Sequence, residues 1–136
     1  MTTRARYLAS YHASVGAVTN ETQTFSTAQL GAVTSLTDAV NISTNLALNN
    51  NFSVTLGGNR TLDNPTNDGI AQSGSIFIIQ DGTGSRTLSF GTDWKFAAGA
   101  GPTISTAANA IDRLDYIVQT ATAIQSVITL DIKTIA

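Results

Sequence analysis

Short runs of alternating apolar and polar residues, broken every few positions by Gly, Asn, Asp or Thr, restrict most strongly what this chain can fold into. A period of two sends successive side chains to opposite faces of a strand. Phe52, Val54 and Leu56 share one parity, with Ser53 and Thr55 on the other. Val40, Ile42, Leu46 and Leu48 form an earlier set. Leu114, Tyr116 and Val118, then Ile128, Leu130 and Ile132, form the last two, joined by a turn over residues 120–123. Ser75–Gln80 is apolar on both faces, as a strand covered on both sides is. Gly57-Gly58-Asn59 and Asn64-Pro65 punctuate these runs. Asp81-Gly82-Thr83-Gly84 carries hairpin chemistry, so Arg86–Phe90 reads as the strand returning from Ser75–Gln80, and Arg60–Leu62 as a short return after Leu56. About eight short strands predict an all-β fold, an antiparallel β-sandwich or barrel. No internal period of roughly 20–50 residues is evident, so a solenoid is not expected. A helix over Ala28–Val40 is disfavoured by Gly31 and by the Thr and Val content.

Residues 1–23 lack this pattern. Arg4 and Arg6 bring two of the seven basic charges, and Tyr7, Leu8 and Tyr11 are apolar without a clear period. The sequence therefore predicts an extended N-terminal arm over 1–23 and a β domain over 24–136. The arm is either a disordered tail or a segment that orders on a partner. In the second case Arg4, Arg6, Tyr7, Leu8 and Tyr11 are the candidate contacts.

Composition narrows the chemistry. The chain has 136 residues, enough for one domain with a core of its own. It has no cysteine, which excludes disulfides and thiolate metal sites, and one histidine, His12. Charged residues are 12% of the chain, nine acids against seven bases, so no basic footprint for nucleic acid exists. No run approaches the ~20 apolar residues of a membrane span, and the N-terminus lacks the apolar stretch of a secretory signal. The Asn-X-Ser/Thr triplets at Asn20, Asn41, Asn51 and Asn59 read as chance in so Asn- and Thr-rich a chain.

Catalytic patterns fare poorly. His12 has no nucleophile elbow to serve. Asp112 and Asp115, three apart on a strand, face opposite ways and cannot form a glycosidase pair. Asp63 and Asp68, with Asn64 and Asn67, offer oxygens to calcium but not at the spacing of an EF-hand. Gly57-Gly58 and Gly82-Thr83-Gly84 precede no helix that could meet a phosphate. The expectation is a structural or binding module: no enzyme, no cofactor, no metal. Trp94 and Phe96 share a parity around Lys95 and read as a core cap or subunit contact in preference to a sugar-stacking platform. Arg60 and Arg86 suit either an interface carboxylate clamp or solvated strand charges.

Residues 51–67 (NFSVTLGGNRTLDNPTN), 72–96 (QSGSIFIIQDGTGSRTLSFGTDWKF) and 104–112 (ISTAANAID), with the closing hairpin, resemble a recurrent module of tailed-bacteriophage and prophage virion proteins. Residues 2–9 (TTRARYLA) more weakly resemble the starts of phage fibre-like proteins. The resemblance covers about residues 24–136. It implies a virion structural protein, made in the bacterial host cytoplasm. In long fibre proteins such a module sits at the distal or C-terminal end. Here a short arm stands where a shaft would, so the leading expectation is a capsid decoration (cement) protein. Its arm would cross subunits of the major capsid protein or other virion proteins, and its β domain would project as a homotrimer. The alternative is a tail-fibre or spike component that binds a host surface glycan through Trp94, Phe96 and nearby loops. Neither expectation involves nucleic acid or a membrane.

Overall fold

A computed structural model describes residues 31–135. The expected arm, with Arg4, Arg6, Tyr7, Leu8 and Tyr11, and the start of the β domain at residue 24 lie outside the described residues. Nine strands follow in chain order: β1 (Val33–Ser35), β2 (Asn41–Ile42), β3 (Asn51–Leu56), β4 (Arg60–Leu62), β5 (Ser73–Gln80), β6 (Leu88–Phe90), β7 (Trp94–Lys95), β8 (Ile111–Thr120) and β9 (Ala123–Thr129). The all-β class is as the alternation predicts. Val33–Ser35 is extended, not helical, in keeping with its β-branched content.

The strand pairing departs from the antiparallel sandwich or barrel. A six-stranded sheet has the order β1-β3-β5-β8-β9-β7, and a three-stranded sheet the order β2-β4-β6. β1, β3 and β5 pair parallel, and so do β2, β4 and β6. The chain thus winds as three stacked coils, a short β-solenoid, each coil giving one strand to each sheet. The antiparallel β8–β9 hairpin then closes the larger sheet against β5. Unequal coils hide the repeat in the sequence. Val33 pairs with Asn51 and Asn51 with Ser75, steps of 18 (33 to 51) and 24 (51 to 75). On the other sheet Asn41 pairs with Thr61 and Arg60 with Leu88, steps of 20 (41 to 61) and 28 (60 to 88).

The turn over 120–123 joins an antiparallel hairpin as expected, whereas the two other turns read as strand returns, at 57–59 and 81–84, are corners between sheets. Asp81 Oδ1 accepts the backbone N–H groups of Thr83 and Gly84 at 3.0 and 2.8 Å, and Asp81 Oδ2 takes Arg86 Nη2 at 2.7 Å. The chain then enters β6, which stacks on β4 and does not pair with β5. Gly84 has φ 72°, and a Cβ there would lie 2.6 Å from Thr106 O, so both backbone and space require glycine. Successive corners are stitched by polar side chains. Asn67 Nδ2 donates to Asn45 Oδ1 at 3.0 Å, Asn59 Oδ1 accepts from Thr87 N at 3.0 Å, and Asn64 Oδ1 from Asp93 N at 2.9 Å. Arg60 reaches down one coil to Asp38, with Nε and Nη2 at 2.7 and 2.8 Å from its carboxylate. Corner backbone leaves donors outside the ladders that must be satisfied, which accounts for much of the Asn and Asp in this chain.

The core lies between the two sheets. Phe52, Val54, Leu56, Leu114, Tyr116 and Val118 point into it, as their parity predicts, against Ile42 and Leu62 of the smaller sheet. Val40 and Leu48, assigned by parity to the buried set, are exposed because they sit in corners, where period two no longer governs direction. Leu130 and Ile132, expected inward, are also exposed, at 48% and 39%. The pairing ends at Thr129, Asp131 has φ 49°, and its N–H turns to Asp112 Oδ1 at 2.8 Å. Tyr116 Oη donates to Asn50 O at 2.7 Å, and burial pushes its pKa up to about 12. Gly74 leaves room for that contact, since a Cβ there would lie 1.7 Å from Asn50 O.

Candidate functional site

Among the described residues β6 is the last strand of the small sheet, and its outer edge pairs with no strand. The segment 97–106, opening with a 3-10 turn over Ala97–Gly99, runs past that edge. Between them lies an open groove of about 720 Å³, lined by Arg86, Leu88, Phe90, Trp94, Lys95, Phe96 and Ile104 among others. An open edge beside an apolar recess is a place where a fold of this kind can accept a ligand.

The aromatic residues divide the work. Trp94 is 4% exposed and its Nε1 donates to Asp63 O at 2.9 Å. Its ring meets Tyr116 edge-on, at 6.0 Å and 84°. Trp94 is therefore the groove's floor and part of the core, as the core-cap reading holds. Phe96 is half-buried and packs edge-to-face on Phe90, at 4.8 Å and 63°. These two rings form the apolar wall. Phe90 was legible as a strand residue but not as a site residue, because its meeting with Phe96 depends on the corner at Gly91–Asp93.

A buried amide fastens the groove. Gln80 is 2% exposed. Its Nε2 donates to Arg86 O at 2.9 Å and to Ser105 O at 2.8 Å, and its Oε1 accepts from Arg86 N at 3.0 Å. One side chain at the end of β5 thus ties both walls. Asp112 holds the second wall from below, its Oδ2 accepting from Ser105 N at 2.7 Å. The sequence marked Asp112 only as half of an unsuited carboxylate pair. It is buried, whereas Asp115 faces outward and takes Ser75 Oγ at 2.6 Å, so the two do lie on opposite faces.

Arg86 pairs with Asp81, and this bond, with the Gly84 N–H, holds the Asp81 carboxyl below the usual range. Arg60 does the same for Asp38. Both arginines thus clamp corners of their own chain. Lys95 donates to Thr92 O and is exposed. Among the described residues no carboxylate lines the groove. Among the described residues no group of three His, Cys, Asp or Glu could hold a metal ion, and no helix is long and apolar enough to cross a membrane. What the groove offers is two rings, a row of hydroxyls and a lysine, the chemistry of a binding surface.

A stacked β module with its polar corners in register, and a groove beside the last strand of its small sheet, defines a structural β module with a candidate binding groove. A family model described as "Putative phage tail fibre C-terminal domain" matches residues 40–121. The match begins before β2 and ends beyond β8, so it takes in the second and third coils and the groove's β6 wall. The chain belongs to this family and is a structural component of a phage virion. No curated protein and no solved structure matches the chain.

Proposed function

We propose that the chain is a tail-fibre component that binds a host surface glycan through the groove beside β6, and that it acts as an oligomer, a homotrimer, without enzymatic activity. The match to a tail fibre C-terminal domain supports this reading over that of a capsid decoration protein. The carrying observation is the groove itself. Phe90 and Phe96 offer apolar ring surface to the C–H faces of a sugar, while Ser89, Thr92, Lys95 and Thr103 offer hydrogen bonds around it. Several copies on one fibre would turn weak single-site binding into firm adsorption.

A glycan array probed with the purified chain tests the groove. Phe96→Ala should reduce binding to any glycan retained by the wild type by about tenfold or more, with Trp94 emission confirming the fold. Equal binding by the variant would remove the groove from the account.

A further inference from the structure

β5 carries apolar side chains on both faces, and only one face is accounted for by the core. Ile76 and Ile78 point inward, while Phe77 and Ile79 are half-buried on the outer face of the six-stranded sheet. Register places more apolar residues beside them. Ile79 pairs with Ile111, Phe77 with Arg113, Ser75 with Asp115 and Ser73 with Ile117. On the next strand Asp115 pairs with Val127. Ile117 and Val127 share the outward parity of Arg113 and Asp115 and are 48% and 63% exposed. The remaining outward positions on β3, β8 and β9 are Asn51, Ser53, Thr55, Gln119, Ala123, Gln125 and Thr129.

We propose that this outer face of β3, β5, β8 and β9 is where copies of this chain meet, each presenting it inward toward a shared axis. The inference rests on the oligomeric reading above and names its surface. Charge selects the occupant. The face holds one cation and one anion, Arg113 and Asp115, and they already pair with each other at 3.0 Å. Covering it needs no complementary charge from a partner, and another copy supplies the same apolar and hydroxyl chemistry. A charged partner would find no counter-charge to meet. Interface centres are depleted in charge in the same way. Size agrees. Strands about 4.8 Å apart, with about 3.3 Å per residue, give four strands of roughly seven residues a flat footprint of about 450 Å² before side-chain relief. That is a little over half of the roughly 800 Å² that each partner gives to a standard interface, with side-chain relief adding to it.

Sedimentation equilibrium of the full chain tests the proposal, with Ile117→Glu/Val127→Glu as the variant. Both side chains already reach solvent, so the variant should fold, with Trp94 emission and circular dichroism as the check. The wild type should assemble, and the variant should dissociate at concentrations about 100-fold higher. Val40→Glu, in the corner between β1 and β2 and 72% exposed, should assemble like the wild type. A wild type that stays monomeric overturns the proposal together with the oligomeric reading. A folded double variant that assembles as well as the wild type overturns the choice of face and leaves that reading standing.

Discussion

Replacing Gln80 with leucine removes the one side chain that fastens both walls of the groove while leaving its volume nearly filled. Three hydrogen bonds disappear, and Arg86 N–H, Arg86 C=O and Ser105 C=O lose their partner. An abandoned buried polar group costs about 1–3 kcal/mol. Arg86 and Ser105 are only half-buried, so water reaches part of the gap and the lower end applies to each. The extra apolar burial of leucine offsets about 1 kcal/mol. The net loss should be about 2–4 kcal/mol, a large fraction of the roughly 5–15 kcal/mol that holds such a domain. With a urea slope of about 2 kcal/mol/M, the middle of the usual range for small proteins, the unfolding midpoint should fall by about 1–2 M. Trp94, the single tryptophan, lies in the groove floor and reports the transition by its emission. Gln80→Glu sharpens the test. It keeps an acceptor for Arg86 N–H but sets a carboxylate against two carbonyl oxygens, so it should be worst at neutral pH and recover as the pH falls. A Gln80→Leu midpoint within about 0.3 M of the wild type, at unchanged slope, would refute the reasoning.

Two glycines in one corner should behave oppositely. Gly84→Ala should lose about 1–2 kcal/mol from its left-handed backbone alone, and more from the clash with Thr106 O, whereas Gly82→Ala, with nothing within 4 Å of its Cβ, should stay within about 0.5 kcal/mol in the same urea assay. Tyr116 makes the fold sensitive to alkali. Its pKa of about 12 against an ordinary 10 means the fold favours the protonated ring, so this contribution is intact below pH 10 and lost as pH rises from 10 to 12. After screening it amounts to about 1–2 kcal/mol, and Tyr116→Phe should flatten that part of a stability-against-pH curve.

The inward set on β3 and β8 was legible because period two holds wherever a strand is straight and one face is buried. The direction of neighbouring strands was not, since parallel and antiparallel strands alternate alike. Asp81-Gly82-Thr83-Gly84 illustrates the ambiguity. Its Asp caps the turn through Thr83 N and Gly84 N, chemistry that serves a hairpin and a solenoid corner equally. The corner becomes visible only through β6 stacking on β4, a contact across 28 residues (60 to 88). Trp94 and Phe96 stand out in the sequence because aromatics on one parity are conspicuous in so polar a segment. Phe90 and Gln80 do not, because each matters through a partner brought close only by the third coil.

Gold-labelled antibody against this chain, imaged on intact virions by electron microscopy, bears most directly on the central claim. Label at the tail fibres is the predicted result. Label spread over the head would contradict it and restore the capsid decoration reading.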